Sequence, residues 1–304
     1  MTGILTDEQV QSYHQQGYLM IERLFDETEI ESARLAIEEI LDRPDPKSVA
    51  EVEPEDSTVF RRIWSPTKRH QVFEDMTCSN KILDPVESLI GPNILFHYSK
   101  LNMKSPKVGS VVEWHQDLSY YPHTNTDLLS CMVYLDDATV DNGCLEVVPG
   151  SHRYGILDHY VDGHFRGKVV NPPPEVNLTQ AVSLEAPAGS TIFLHCLTLH
   201  SSKRNQSSMP RRAFLPAYRA ADAYPIYFGP HASHNEPSIK LLRGQHLKVA
   251  RMESQTWLLP IAQANFNSLY EIQEGSHLKT RKQSQAGYYV ELEEESNSSL
   301  STST

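Results

Sequence analysis

The feature that most constrains the fold is a series of short apolar runs that begins near residue 93 and continues to about residue 223. The runs are rich in Ile, Val, Leu, Phe and Tyr, and turn signals such as TNTD, DNG, PGS and PAGS separate them. Short strands divided by turns are typical of an all-β sandwich or barrel, because βαβ units would need helical segments between the strands. The sequence therefore predicts a mainly β core over this part of the chain.

Residues 1–92 have a different pattern, which predicts helices joined by loops. Thr6 is a residue type that favours the helix N-cap, and Asp26 followed by Glu29 has the spacing of a capping box. Apolar residues at helical spacing follow the second of these signals. The expected helices cover residues 7–16, 27–43 and about 80–90, and the acidic, proline-rich residues 44–57 are expected to form a loop.

Charge and composition narrow the class of partner. The formal net charge of −12 argues against a nucleic-acid partner, because proteins that bind nucleic acid usually carry a basic surface. No apolar run approaches the ~20 residues that span a bilayer, and the N-terminus lacks the basic and apolar regions of a signal peptide. The four cysteines have no CxxC spacing, which predicts free thiols in a reducing compartment. We therefore expect a cytoplasmic protein, a monomer or homodimer, with no membrane association.

The chain is rich in histidine, the commonest metal ligand, and three of its residues form a candidate metal site. His115 and Asp117 are two residues apart in a strand-like run, so both side chains point to one face. His200, beyond a later strand, is the candidate third ligand, and His195 is its rival. Two histidines and one carboxylate form the facial triad of non-haem Fe(II) oxygenases, which leaves positions open for co-substrates. Spacing alone leaves another interpretation open, in which these are structural histidines beside a paired carboxylate.

Four motifs resemble one protein family. WHQDLSYYP, DLLSCMVYLDDATVDNGCLEVVPGSH, GSTIFLHCLTLHSS and PRRAFLPAYRAADA occur in that order between Leu95 and Ala223. Together they are similar to the phytanoyl-CoA dioxygenase family of Fe(II)/2-oxoglutarate oxygenases, including its ectoine-hydroxylase-like members. The resemblance implies a double-stranded β-helix, or jelly-roll, core with flanking helices. It also implies that His115, Asp117 and His200 bind Fe(II), with His195 beside the site.

The same resemblance implies residues that bind the co-substrate 2-oxoglutarate. The family has a serine two residues after the distal histidine, which corresponds to Ser202. It also has an arginine eleven residues after that histidine, which corresponds to Arg211. Arginine suits a buried carboxylate because its planar guanidinium pairs with both oxygens and stays charged. Arg212 is the alternative, since only one of two adjacent strand residues can point inward.

Further pocket residues are expected on the strand before the HxD motif. Tyr98, Lys100 and Asn102 alternate along one face of this strand, and the resemblance aligns them with positions that line the co-substrate pocket. The family often carries arginine or glutamine where this chain has Lys100 and Tyr98. Side chains expected to contact the substrate are Tyr121, His152, Arg219 and Asp222.

The implied organisation is a single oxygenase domain over residues 1–290. A helical lead-in (1–92) precedes a jelly-roll core (93–223) and a C-terminal extension (224–290), and the acidic, Ser/Thr-rich residues 291–304 are expected to be a disordered tail.

The implied reaction consumes 2-oxoglutarate and O2 and yields succinate and CO2. The carboxylate of Asp117 favours hydroxylation over halogenation, although desaturation or cyclisation fits the same ligands. The expected substrate is a small-molecule metabolite or a natural product of secondary metabolism. The alternatives are an acyl-CoA hydroxylase, a cupin-type metalloenzyme that does not use 2-oxoglutarate, and a catalytically silent jelly-roll binding protein.

Overall fold

The computed structural model describes residues 5–42, 50–53, 56–227 and 239–260. Four α-helices lie in this part of the chain: α1 (Asp7–Gln16), α2 (Glu27–Leu41), α3 (Gln71–Cys78) and α4 (Asn80–Ile90). The strands are β1 (Tyr18–Ile21), β2 (Ala50–Val52), β3 (Phe60–Trp64), β4 (Ile94–Lys104), β5 (Val112–His115), β6 (Leu128–Tyr134), β7 (Leu145–Val147), β8 (Tyr160–Val161), β9 (His164–Phe165), β10 (Val182–Leu184), β11 (Thr191–His195), β12 (His200–Ser202), β13 (Arg211–Ala220) and β14 (Leu241–Arg243).

Two antiparallel sheets form the core. The larger has the order β1-β11-β6-β13-β4-β3-β2, with β14 also paired to β4, and the smaller has the order β10-β7-β12-β5. Buried side chains from both sheets pack in one cluster, in which Tyr134 and Leu215 of the larger sheet join Val147 and Leu184 of the smaller. Two packed antiparallel sheets of this kind are the jelly roll that the sequence predicted, and this fold class is confirmed.

The helices cover the other face of the larger sheet. Ile30 and Ile37 of α2, with Phe73 of α3, pack in one cluster with Val133 of β6 and Phe214 of β13. Because the larger sheet is covered on both faces, every residue of β6 is buried. Because the helices cover the outer face of the larger sheet, a site on its central strands can form only in the cavity between the two sheets.

Two of the predicted helices start where the sequence places them. The Thr6 hydroxyl oxygen accepts a hydrogen bond from the backbone N–H of Gln9, and the Gln9 side-chain oxygen accepts one from the Thr6 backbone N–H. Asp26 and Glu29 make the same reciprocal pair at the start of α2. Each capping box satisfies two N–H groups that the helix leaves without partners, which fixes the first turn.

The lead-in over residues 1–92 differs from the helices and loops that were expected. It contributes β1, β2 and β3 to the larger sheet, and β2 lies within the predicted loop 44–57. The sequence did not predict α3 either. These strands have three to five residues and no local periodicity, and β1 joins the sheet through β11, a partner far along the chain.

The C-terminal part also joins the larger sheet, because Leu241 and Arg243 of β14 pair with β4. The single domain over residues 1–290 stays a prediction, and the predicted tail at 291–304 lies outside the described residues. Within the described part of the chain, no helix combines the length and apolar character needed to cross a bilayer.

Gly17, which ends α1, is expected to tolerate no side chain. Its φ is 80°, and an added Cβ would lie 2.4 Å from the Thr198 hydroxyl and 2.5 Å from Nδ1 of His152. Thr198 is held in place because its hydroxyl donates a hydrogen bond to the Gly17 carbonyl. Gly163 has a similar φ of 75° but no atom within 4 Å of an added Cβ. Gly163→Ala should cost about 1–2 kcal/mol from backbone strain alone, and Gly17→Ala should cost clearly more.

Urea denaturation of both variants and of the unsubstituted protein measures this difference. Equal losses of unfolding free energy in Gly17→Ala and Gly163→Ala would show that the side chains around Gly17 move aside at no free-energy cost.

Candidate metal centre and co-substrate pocket

Three side chains converge inside the jelly roll, on the smaller sheet. His115 is the last residue of β5, and His200 is the first residue of β12 and its direct antiparallel partner. Asp117 follows after one extended residue, so it points to the same side as His115. The Asp117 Oδ1 atom lies 3.7 Å from Nε2 of His115 and 3.8 Å from Nε2 of His200. In the part of the chain that the structure describes, this is the one group of three such side chains that could hold a metal ion.

The histidines are oriented for metal binding by their backbone contacts. Nδ1 of His115 donates to the Glu113 carbonyl, and Nδ1 of His200 donates to the Thr198 carbonyl, each at 2.8 Å. A carbonyl only accepts, so each Nδ1 carries the proton, and the neutral ring presents its Nε2 lone pair to the centre. Burial lowers the pKa of both imidazoles below the ordinary value. Both rings are therefore neutral near pH 7, the form that binds a metal.

The carboxylate of Asp117 is held by a neighbouring strand. Its Oδ2 accepts a hydrogen bond from the Ser130 hydroxyl at 2.9 Å, which leaves Oδ1 facing the two histidines. Burial alone would raise the pKa of Asp117, but the nearby His200, Lys100 and His115 and the Ser130 hydrogen bond lower it below the ordinary value. Asp117 is consequently an anion, and the donor set of two neutral imidazoles and one carboxylate fits Fe(II).

His195, the rival third ligand, is not part of this group. Its Nδ1 accepts a hydrogen bond from the Leu197 backbone at 3.1 Å. Its ring packs against those of His152 and Tyr13, with centroids 5.0 and 6.2 Å away. The side chain therefore helps to pack the end of β11 against α1.

A pocket next to the triad is lined by cations. Arg62, Lys100 and Arg211 line it together with Asn102 and Ser202, and the triad forms its end. The strand register explains this grouping, because Arg62 of β3 and Ala213 of β13 both pair with Asn102 of β4. A pocket that presents three cations beside a metal triad suits an anionic co-substrate.

Of the two adjacent arginines, Arg211 points inward. Arg211 is 2% exposed, and its Nε and Nη2 donate to the Gly143 carbonyl at 3.1 and 2.9 Å. Arg212 points to the opposite side, where its guanidinium forms a two-pronged pair with Asp136 at 2.9 and 2.7 Å. Arg212 already has its carboxylate, whereas Arg211 lines the pocket.

Arg62 is a pocket residue that the sequence analysis missed. Its Nε donates to Oδ1 of Asn102 at 3.0 Å, and its guanidinium lies 4.9 Å above the Trp64 ring. Arg62 was missed because residues 1–92 were interpreted as helices and loops. The five residues FRRIW do not alternate between apolar and polar, so the sequence carries no local signal that would have identified β3.

The structure separates the predicted substrate residues. Tyr121 is buried, and its hydroxyl lies 3.5 Å from that of Tyr98. Tyr98 lies beside the metal centre and does not line the cationic pocket. His152 contacts the His14 carbonyl at 3.0 Å, beside α1 and outside this pocket. Asp222 accepts hydrogen bonds from Arg251 and Asn125. Arg219 is 6% exposed and also lies outside the cationic pocket.

Comparison with known proteins identifies the family. Residues 13–213 match the family model of phytanoyl-CoA dioxygenase (PhyH), which spans more than half of the chain. The chain belongs to the phytanoyl-CoA dioxygenase family. It is an Fe(II)/2-oxoglutarate-dependent dioxygenase, and the Fe(II), 2-oxoglutarate and O2 predicted from the sequence are confirmed.

Several relatives are similar over most of their length. A probable alpha-ketoglutarate-dependent hypophosphite dioxygenase of Stutzerimonas stutzeri is 32% identical over 72% of this chain and 80% of its own. An ectoine dioxygenase of Bordetella bronchiseptica is 30% identical over 72% of this chain and 76% of its own. The crystal structure of EctD from S. alaskensis with bound Fe superposes with a TM-score of 0.64 at 22% identity, covering 79% of this chain and 87% of that one.

Ser130 should control iron affinity although it is not a ligand. Ser130→Ala removes the hydrogen bond that orients Asp117, and loss of such an outer partner typically lowers metal affinity about 10–100-fold. Ser183→Ala is the matched control, because Ser183 is exposed on the edge strand β10 and its hydroxyl contacts Glu146 of β7. Anaerobic competition with a coloured Fe(II) chelator measures the Fe(II) affinity of both variants. An unchanged Fe(II) affinity in Ser130→Ala would mean that the metal alone orients the carboxylate.

Proposed function

We propose that this dioxygenase hydroxylates a small-molecule metabolite or natural product while 2-oxoglutarate and O2 become succinate and CO2. The observation that carries the proposal is the buried His–Asp–His group beside a pocket with three cations. Asp117 supports hydroxylation, because its carboxylate takes the metal position that a halide would otherwise need. A complete donor set with an inward Arg211 also argues against a catalytically silent binding protein.

The protein's part in this reaction is to hold the reactants and to keep water out. Bound Fe(II) supplies the O2-activating chemistry, and the open side of a facial triad accepts the co-substrates. Nε2 of His115, Nε2 of His200 and Oδ1 of Asp117 would hold the ion, and all three side chains are less than a tenth exposed. The second Asp117 oxygen stays on Ser130, so the carboxylate offers the ion one defined oxygen.

We infer that Arg211 binds the distal carboxylate of 2-oxoglutarate, with help from Ser202, Asn102 and Lys100. Support comes from their positions, since all four line the cationic pocket. Arg62 adds a second guanidinium at the same pocket and keeps Asn102 oriented. Tyr98 belongs to this proposal only as a neighbour of the metal centre.

Substitution of the two adjacent arginines tests the co-substrate site. Arg211→Gln should raise the dissociation constant of 2-oxoglutarate by about two to three orders of magnitude, the loss expected when one partner of a buried charged pair is removed. Arg212→Gln should change it little, because Arg212 pairs with Asp136 outside the pocket. Anaerobic titration of the Fe(II)-loaded protein measures both constants. A larger loss in Arg212→Gln would contradict the inferred role of Arg211.

Lys100 should make 2-oxoglutarate binding depend on pH. Removal from bulk solvent lowers the pKa of Lys100 to about 8, although Asp117 opposes this shift. Since the pKa is lowered, the ammonium is present below about pH 8 and is lost as the pH rises through that value. The affinity for the 2-oxoglutarate dianion should therefore fall between about pH 7 and pH 9.

Lys100→Arg is the matched variant for this prediction, because a guanidinium stays charged over that range. Dissociation constants of the wild type and of Lys100→Arg at both pH values measure the effect. A wild type that loses no more affinity than Lys100→Arg would exclude Lys100 from the site.

The relatives support a small polar substrate, because their names refer to hypophosphite and ectoine. The acyl-CoA alternative comes from the phytanoyl-CoA dioxygenases among the relatives. Substrate-dependent succinate formation, screened by mass spectrometry with both classes of compound, tests the choice. Stimulation by acyl-CoA thioesters alone would overturn the preferred substrate class.

A cytoplasmic location, a role in secondary metabolism and a monomeric or homodimeric state also belong to the proposal. The cysteines support the first of these, since Cys78, Cys131, Cys144 and Cys196 are all free thiols and the last three are buried. Gel filtration with light scattering tests the oligomeric state.

A further inference from the structure

A second polar cluster lies at the opposite end of β13 from the co-substrate arginine. It consists of His97, His123 and Arg219, which are 1%, 0% and 6% exposed. The rings of His97 and His123 have centroids 5.1 Å apart. Burial lowers the pKa of both imidazoles, and Arg219 lies close enough for its charge to lower each pKa further. The established chemistry of the iron and 2-oxoglutarate uses none of these three residues.

A β-bulge turns His97 into the jelly roll. In the register of β13 with β4, Ala217 pairs with Tyr98 and the next residue, Tyr218, pairs with Phe96, so His97 is the extra residue. A bulge re-aims the side chain of the extra residue, and bulges are common next to active sites. The His97 ring accordingly packs 4.7 Å from Tyr121 and 5.0 Å from Tyr98, on the side of the metal centre.

The cluster contains buried polar atoms without partners. Within the described part of the chain, neither ring nitrogen of His97 has a hydrogen bond, and Nε of Arg219 has none either. The Arg219 guanidinium donates a hydrogen bond through Nη1 to the Ala223 carbonyl, which carries no charge. A buried donor or acceptor without a partner is destabilising, so a folded protein retains such groups where a ligand or an ordered water completes them.

Arg219 also lacks the carboxylate partner that Arg61, Arg62 and Arg212 have. Arg61 and Arg62 lie within 4.0 Å of Glu51, and Arg212 is paired with Asp136. Among the described residues no carboxylate lies within ion-pair distance of Arg219, and Asp222 nearby is bound by Arg251. Burial lowers the pKa of Arg219 to about 10, so the guanidinium is still a cation at neutral pH. A buried cation without a counter-ion favours an anionic ligand.

The position of the cluster suits the substrate and not the co-substrate. Arg211 and Arg219 both point inward from β13, eight residues apart, which is about 27 Å along an extended strand. The two guanidinium groups are therefore too far apart to hold one five-carbon diacid. The metal centre lies between them, since Ala217 of β13 pairs with Ser130, whose hydroxyl binds Asp117. Tyr98 and Tyr121 separate His97 from that centre.

We propose that Arg219 and His97 bind an anionic group of the substrate, a carboxylate or a phosphonate-type oxyanion, with His123 packed against His97. Arg219 donates through Nε–H and supplies the charge, and neutral His97 donates through one ring N–H. When its anionic group is bound at this end, the rest of the substrate extends past Tyr98 and Tyr121 towards the metal. This inference rests on the proposed function and names the substrate class of the same site.

The test compares two acids with one neutral amide of similar size. The full chain, loaded with Fe(II) and saturating 2-oxoglutarate without O2, is titrated calorimetrically with butanoate, propylphosphonate and butanamide. At least one acid should bind about tenfold or more tightly than butanamide, as expected for a hydrogen bond to a charged group. Equal affinities, or no binding of either acid, would overturn the inference.

Variants identify the groups responsible. Arg219→Gln should abolish the preference for the acid, Arg219→Lys should retain part of it, and His97→Phe should reduce it. Arg212→Gln is the control on the outer side of the same strand and should keep the full preference. A preference that survives Arg219→Gln would overturn the inference. Circular dichroism verifies folding, and the wild-type comparison stays decisive if a variant does not fold.

The same titration separates this inference from the proposed function. Binding of 2-oxoglutarate to the Fe(II)-loaded protein is measured before any acid is added. Absence of that binding would contradict the proposed function. Binding of 2-oxoglutarate without a preference for acids would overturn the anion site alone.

Discussion

The pairing of β5 with β12 is the interaction on which the site depends. It places His200 directly opposite His115, with ring centroids 4.1 Å apart, although 85 residues separate them in the sequence. Antiparallel neighbours approach closely enough for two imidazoles to share one ion. Asp117 joins them from the turn after β5, where Ser130 of the larger sheet holds it. The metal centre therefore links the two sheets of the jelly roll, and its geometry requires both.

The central strand of the larger sheet distributes the charges around that centre. Alternation along β13 sends Arg211 and Arg219 inward and Arg212 outward. The two inward arginines lie on either side of the metal centre, so a single strand carries both the proposed co-substrate site and the proposed substrate site. Arg212 pairs with Asp136, and its pair fixes the strand against the loop after β6. The register of one strand thus decides that Arg211 lines the cationic pocket and that Arg212 pairs with Asp136.

Buried charge is balanced differently on the two sides of the metal centre. On the side of the cationic pocket, Glu51 and Glu53 lie beside Arg61 and Arg62, so the protein supplies its own counter-ions. On the other side, Arg219 has no such partner among the described residues. Because an uncompensated buried charge is costly, the first arrangement stabilises the empty fold and the second favours ligand binding.

The sequence by itself determined the features that depend on neighbouring residues. The capping boxes at Thr6 and Asp26 act over three residues, and the shared face of His115 and Asp117 needs only one extended residue between them. The family motifs added His200 to this pair. Local geometry of this kind is set by the backbone, so it can be predicted without knowing the fold.

Only the tertiary structure decided which side chains enter the pocket. The choice of Arg211 over Arg212, the arrival of Arg62 from the lead-in and the inward turn of His97 all depend on strand register. A shift of one residue in register sends every side chain of a strand to the opposite face. Register is set by partners far away in the chain and by one bulge, and neither leaves a local pattern in the sequence.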